Sequence, residues 1–177
     1  VTTDGQLWGW GENLAGQVGI SEVTDRTVPS TIAGLSGLTG VAAGFRHSLA
    51  VQSDGQVWAW GYNLAGQLGD GTNDSRTAPV LTKDVVDVVQ VSAGFLHSVA
   101  LKRDGTVWAW GSNARGEAGN GTQTLRSNPG PVKSLANVTQ LSAGYSYTLA
   151  VRSDGTAWGW GDNQPGQLGD GTTISRT

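Results

Sequence analysis

The sequence predicts an all-β fold, a β-propeller of four-stranded antiparallel blades, and two observations carry that expectation. A five-residue phrase, an apolar or small residue followed by Trp-x-Trp-Gly, recurs at Leu7, Val57, Val107 and Ala157, 50 residues apart each time. Between its copies lie alternating runs rich in Val and Ala, punctuated by Gly, Asp-Gly and Pro. Self-similarity at a fixed period makes the repeat, rather than the domain, the unit of folding. Residues 51–100 laid over 101–150 without a gap agree at 21 of 50 positions, so the units are copies of one another.

Within a unit the elements follow in order. Val88 to Ala93 alternates apolar and small or polar residues and predicts a first strand near 87–93; the run HSVAL predicts a second near 97–102, with Gly94 marking the turn between them. Asp104-Gly105 then signals a hairpin, because glycine tolerates the positive φ of a tight turn, and Asp4, Asp54 and Asp154 repeat the signal. The Trp-x-Trp strand follows near 106–111. Side chains alternate across a strand, so both Trp fall on one face and Ala59 or Ala109 on the other; stacked sheets can nest the bulky face of one on the flat face of the next. The Gly- and Asn-dense stretch after Gly111 excludes regular pairing, and a short fourth strand is expected near 130–132. Pro29, Pro79 and Pro129 are expected at the start of that strand, which, lacking their N–H donors, should be the sheet's edge.

The expected division is an incomplete blade over 1–33, blades over 34–84 and 85–134, and a second incomplete blade over 135–177. The chain starts within a repeat and reads as a fragment of a longer protein, a partial propeller of about three and a half blades. With two open ends it is expected to dimerise or aggregate in isolation, a homodimer being one outcome.

Composition narrows the function. Net charge is −3, the pI is near 5.2 and basic residues are not clustered, so no direct contact with nucleic acid is expected. No run of 18 apolar residues offers a membrane span, and the lack of Cys removes disulfides and thiolate metal sites. Nothing in the sequence points to a compartment. His47 and His97 recur at one strand start and become Tyr147 in the next copy, the pattern of a structural hydrogen-bonding position rather than a catalytic base. Asp70, Asn120 and Asp170 lack the spacing of a calcium loop, so neither a metal nor another cofactor is expected. Arg26, Arg76, Arg126 and Arg176 are expected to cap loop carbonyls or pair with a neighbouring blade. There is no Ser/His/Asp set and no phosphate-cradling Gly loop followed by Lys, and the chain reads as not an enzyme.

The stretches VAAGFRHSLAVQSDGQVWAWGYNLAGQLGDGT and VSAGFLHSVALKRDGTVWAWGSNARGEAGNGT resemble repeats of the regulator of chromosome condensation family. AG-x-x-HS, DG, W-x-WG-x-N-x-x-G and R-x-x-P occur together and in order, and the resemblance covers the whole chain. It implies a seven-bladed propeller used chiefly for protein-protein contact. The expected role is therefore a non-catalytic interaction module with a protein partner. The resemblance also implies two alternatives. One is guanine-nucleotide exchange on a small GTPase, which would need a wedging insertion that these equal-length repeats lack. The other is a secreted bacterial propeller that inhibits an enzyme through its rim. The candidate partner-binding residues lie at the turn between the first two strands: Phe45, Arg46, Phe95, Leu96, Tyr145 and Tyr147. The aromatic type at the tip persists while its neighbours vary, as binding hot spots do.

Overall fold

The computed structural model describes residues 1–2 and 5–177, so the hairpin aspartate expected at Asp4 lies outside the described residues. Among the described residues thirteen strands are formed: β1 (Leu7–Gly11), β2 (Arg26–Ile32), β3 (Leu38–Ala43), β4 (His47–Gln52), β5 (Val57–Gly61), β6 (Arg76–Leu81), β7 (Val88–Ala93), β8 (His97–Lys102), β9 (Val107–Gly111), β10 (Arg126–Pro131), β11 (Val138–Ala143), β12 (Tyr147–Arg152) and β13 (Ala157–Gly161). All pairing is antiparallel, in sheets ordered β1-β2, β3-β4-β5-β6, β7-β8-β9-β10 and β11-β12-β13. A bridge from Gly161 to Arg176 begins a fourth strand on the last sheet. The strands β3, β7 and β11 pack against one another and form the inner edge.

The hairpin aspartates behave as turn chemistry. Asp54 and Asp104 accept from the backbone two residues on, and Gly55 and Gly105 take φ of 80° and 78°.

The fourth strand departs from expectation. It begins at Arg126, not near residue 130, because Arg126 pairs with Gly111 before the register shifts and resumes at Gly130 opposite Ala109. Pro29, Pro79 and Pro129 accordingly sit within the strand, inside that shift, where the missing N–H interrupts no ladder bond. The edge placement itself holds in both four-stranded sheets, where β6 and β10 are outermost.

Blades stack as the Trp pattern requires. Leu49, Val51, Val57 and Ala59 of one blade bury against Val88, Val91, Ala100 and Trp110 of the next. The cluster joining Val99, Ala109 and Val132 to Val138, Ala150 and Trp160 repeats the arrangement one blade later. The second Trp of each phrase carries the junction. Trp60, Trp110 and Trp160 are buried and donate Nε1–H to the carbonyls of Gln17, Gln67 and Glu117 in the preceding blade, at 2.8 to 2.9 Å. Gly69 permits this approach, since a Cβ there would lie 2.8 Å from Trp110 Nε1, and its φ of 68° suits glycine. Burying one such ring contributes about 4 to 6 kcal/mol before entropy is charged against it.

Candidate functional site

The turns after β3, β7 and β11 meet on one rim beside the inner edge. Each carries the Ala-Gly-aromatic stretch, and backbone bonds join them: Phe45 N–H donates to Gly94 O at 3.2 Å and Phe95 N–H to Tyr145 O at 2.9 Å. Within each blade the turn is pinned to the residue after the Trp phrase. Tyr62, Ser112 and Asp162 donate N–H to the carbonyls of Arg46, Leu96 and Ser146 at 2.7 to 2.8 Å.

These constraints hold three rings in a row. Phe45 and Phe95 lie 4.6 Å apart at 42°, and Phe95 and Tyr145 stack at 4.2 Å and 18°. The rings lie against their neighbours across blades rather than tucking into their own sheets. Phe45 and Tyr145 are 58% and 65% exposed, while Phe95 between them is half-buried. Arg46 lies 5.5 Å from the Phe45 ring and pairs with Glu12 at 2.8 Å, which carries the arc on to the first blade's loop. Leu96 is half-buried beside Phe95. Tyr147 does not join the row: it is half-buried with its ring against Gly144, where a Cβ would stand 2.3 Å away.

Beneath the row lie His47 and His97, each 1% exposed. His47 Nε2 meets Ser98 Oγ of the next blade at 2.9 Å, and His97 Nε2 meets Thr148 Oγ1 at 3.1 Å. Burial pushes the His47 pKa down to about 3, helped by the neighbouring His97, and burial pushes His97 down to about 4. Gly44 and Gly94 make room for the rings, since a Cβ would fall 2.4 Å from His47 Cε1 and 2.2 Å from His97 Cε1. Two enclosed, neutral imidazoles brace the turn from below and leave the aromatic edge as its outer chemistry.

Sequence reasoning missed the residues that build the long loops on this rim. Asn63 is wholly buried; its Oδ1 accepts from Leu68 N–H and its Nδ2 donates to the carbonyls of Thr72 and Asp74. Asn13, Asn113 and Asn163 hold their own loops in the same way. The recurring Asn after Trp-Gly was the available signal. Three of the recurring arginines also behave differently from expectation: Arg26 pairs with Glu22, and Arg76 and Arg176 pair with Asp70 and Asp170, each within its own loop, neither capping carbonyls nor reaching another blade. For Arg76 and Arg176 the Asp two residues before a Thr supplies a fixed acceptor nearer than either.

A row of antiparallel four-stranded blades converging on inner strands defines a segment of β-propeller. The sequence matches the RCC1-like domain family across residues 1–177, and the chain belongs to that family. It is similar to the solved human WBSCR16, with a TM-score of 0.87 and 22% identity over all of this chain and 47% of that one. It is also similar to yeast RCC1 (Prp20), solved bound to Kap60, with a TM-score of 0.83 and 25% identity over 98% of this chain and 43% of that one. A second structure of Prp20p from Saccharomyces cerevisiae, described with its binding properties to Gsp1p and histones, gives a TM-score of 0.83 at 23% identity over 99% of this chain and 47% of that one. The ultraviolet-B receptor UVR8 of Arabidopsis thaliana is 42% identical over 53 residues, which are 29% of this chain and 12% of that protein. The chain thus spans under half of each of these relatives.

Proposed function

We propose that this chain is a non-catalytic interaction module that grips a protein partner through the rim formed by Phe45, Arg46, Phe95 and Tyr145, flanked by Leu96. The observation that carries the reading is the stacked row of aromatic rings, exposed at both ends and held by backbone bonds between blades. A row already in place presents apolar area at little ordering cost, and rigid aromatics are favoured binding anchors for that reason. The partners named for Prp20 are proteins, which supports the same class here. Guanine-nucleotide exchange is less well supported, because the three long loops on this rim that join β1 to β2, β5 to β6 and β9 to β10 run to equal lengths and none of them is enlarged into a wedge.

The test is paired capture and melting. Replacing Phe45 and Tyr145 by Ala should remove a partner that the unaltered chain retains, with folding stability falling by no more than about 1 to 2 kcal/mol. Equal capture by the variant would end the proposal, and so would loss of folding, which would make the rings part of the core.

A further inference from the structure

The inner edges of the blades meet differently at two successive junctions. Gly94 N–H donates to His97 O and Gly144 N–H to Tyr147 O, which fixes the phase of each antiparallel ladder. Counting back by twos, Gln90 and Ser92 bond to β8, as Gln140 and Ser142 bond to β12. Val91 and Ala93, like Leu141 and Ala143, therefore turn their N–H and C=O groups to the open edge.

Where β7 meets β11, side chains of the preceding blade answer those groups. Gln90 makes a two-point contact with a single residue: its Oε1 accepts from Leu141 N–H at 3.1 Å and its Nε2 donates to Leu141 O at 2.9 Å. Ser92 Oγ accepts from Ala143 N–H at 2.9 Å. Where β3 meets β7, the equivalent residues are Gly40 and Ala42, which carry no polar side chain. Among the described residues nothing at this junction bonds to Val91 N–H, Val91 O or Ala93 N–H. A Cβ on Gly40 would meet only Val51 Cγ1 of its own blade, at 3.1 Å, and no atom of β7 within 4 Å. Gly40 does not take a positive φ, so the backbone itself does not call for glycine there. Both sheets carry all four strands, so this gap lies between two complete blades. Next along the same strands, Ala43, Phe45, Ala93 and Phe95 line a shallow recess at the aromatic rim.

We propose that the notch between β3 and β7 binds a primary carboxamide, the group that ends Gln and Asn side chains, seated on Val91 as Gln90 is seated on Leu141. The notch selects this chemistry. A primary amide carries an N–H and a C=O on the same side and meets the C=O and N–H of one residue together. A trans peptide group points its two in opposite directions and satisfies only one of them. A carboxylate accepts from Val91 N–H but sets its second oxygen against Val91 O. The site goes beyond the rim reading, because so small a group can be tested without any protein partner.

Nuclear magnetic resonance of the 177-residue chain reads the site at the amides of Val91, Ala93 and Leu141. In the unaltered chain Val91 N–H should exchange with solvent faster than Leu141 N–H. Propionamide should slow that exchange and shift the Val91 amide saturably, with a Kd of about 1 to 100 mM, as suits a ligand of its size. Propionate and N-methylacetamide should bind at least about tenfold more weakly. Gly40→Gln should protect Val91 and abolish the response. If that variant fails to fold, Gln90→Ala tests the same chemistry one junction on: it should expose Leu141 N–H and make it respond to propionamide. Tighter binding of a blocked Gly-Gln-Gly peptide than of propionamide assigns the amide to a protein's Gln, and weaker binding assigns it to a free small amide. Equal protection of Val91 and Leu141 in the unaltered chain, or a response to propionamide no stronger than to propionate, overturns the proposal.

Discussion

At the scale of single residues, the protonation of His47 is set by its neighbour. Ser98 Oγ–H donates to Gln67 O at 2.7 Å, so its oxygen serves His47 only as an acceptor, and the imidazole carries its proton on Nε2. His47 Nδ1 and His97 Nδ1 are then buried without a donor, and a second proton there would be a desolvated charge. Both folded pKa values lie below the unfolded value of 6.5, at about 3 and about 4. Below pH 6.5 the unfolded chain binds protons that the folded chain refuses, so the histidines' contribution is complete above 6.5 and is lost as pH falls through the window down to 3–4. At pH 5 the loss should be about 2 kcal/mol per histidine. Asp70 shifts down despite burial, which alone would raise it, because hydrogen bonds from Thr72 and Arg76 outweigh that burial. Its contribution is present above the ordinary carboxylate range and is lost only at more acid pH. Urea unfolding at pH 7 and pH 5 should show the drop, and His47→Gln with His97→Gln should flatten it. Equal stability of the unaltered chain at both pH values would mean that the imidazoles are not held neutral.

At the scale of elements, Asn63 is to its loop what the ladder is to a strand. Replacing it by Ala would strip bonds from Leu68 N–H and from the carbonyls of Thr72 and Asp74, at a cost of about 2 to 4 kcal/mol. Denaturant unfolding of Asn63→Ala measures this, and a cost below about 1 kcal/mol would show that water replaces the amide. Local order of this kind separates what could be read from the chain from what could not. Strands β7, β8 and β9 were legible because alternation, Gly94 and Asp104-Gly105 mark their ends. The first half of β10 was not, since RSNP has no alternation and its pairing crosses a register shift. The aromatic turn was legible as a position, from its repetition. Its stacking, the contact of His47 with Ser98 and the pairing of Arg76 with Asp70 were not, because each depends on how a turn or blade is placed in space, and periodicity reports only that it recurs.

At the scale of the whole molecule, the end blades differ from the inner ones. Trp60, Trp110 and Trp160 are buried against a preceding blade, whereas Trp10 is 63% exposed, with Trp8 and Val41 exposed nearby. On the following face of the last blade Leu149 is exposed as well. A preparation of these 177 residues should therefore self-associate at micromolar concentration, and Trp10→Gln should weaken the association. Sedimentation showing a compact monomer with cooperative unfolding at that concentration would refute this. The side-chain hydrogen bonds between blades also have a telling reach. Those through Trp110, Ser98 and His47 span 43, 31 and 51 residues, about one repeat, and their counterparts in the other blades reach no further. Such a molecule behaves like a row of dominoes rather than an arch: each piece leans only on the next. Injury in one blade is felt by its neighbours and fades beyond them, so paired substitutions two repeats apart in their cores should cost the sum of their separate costs.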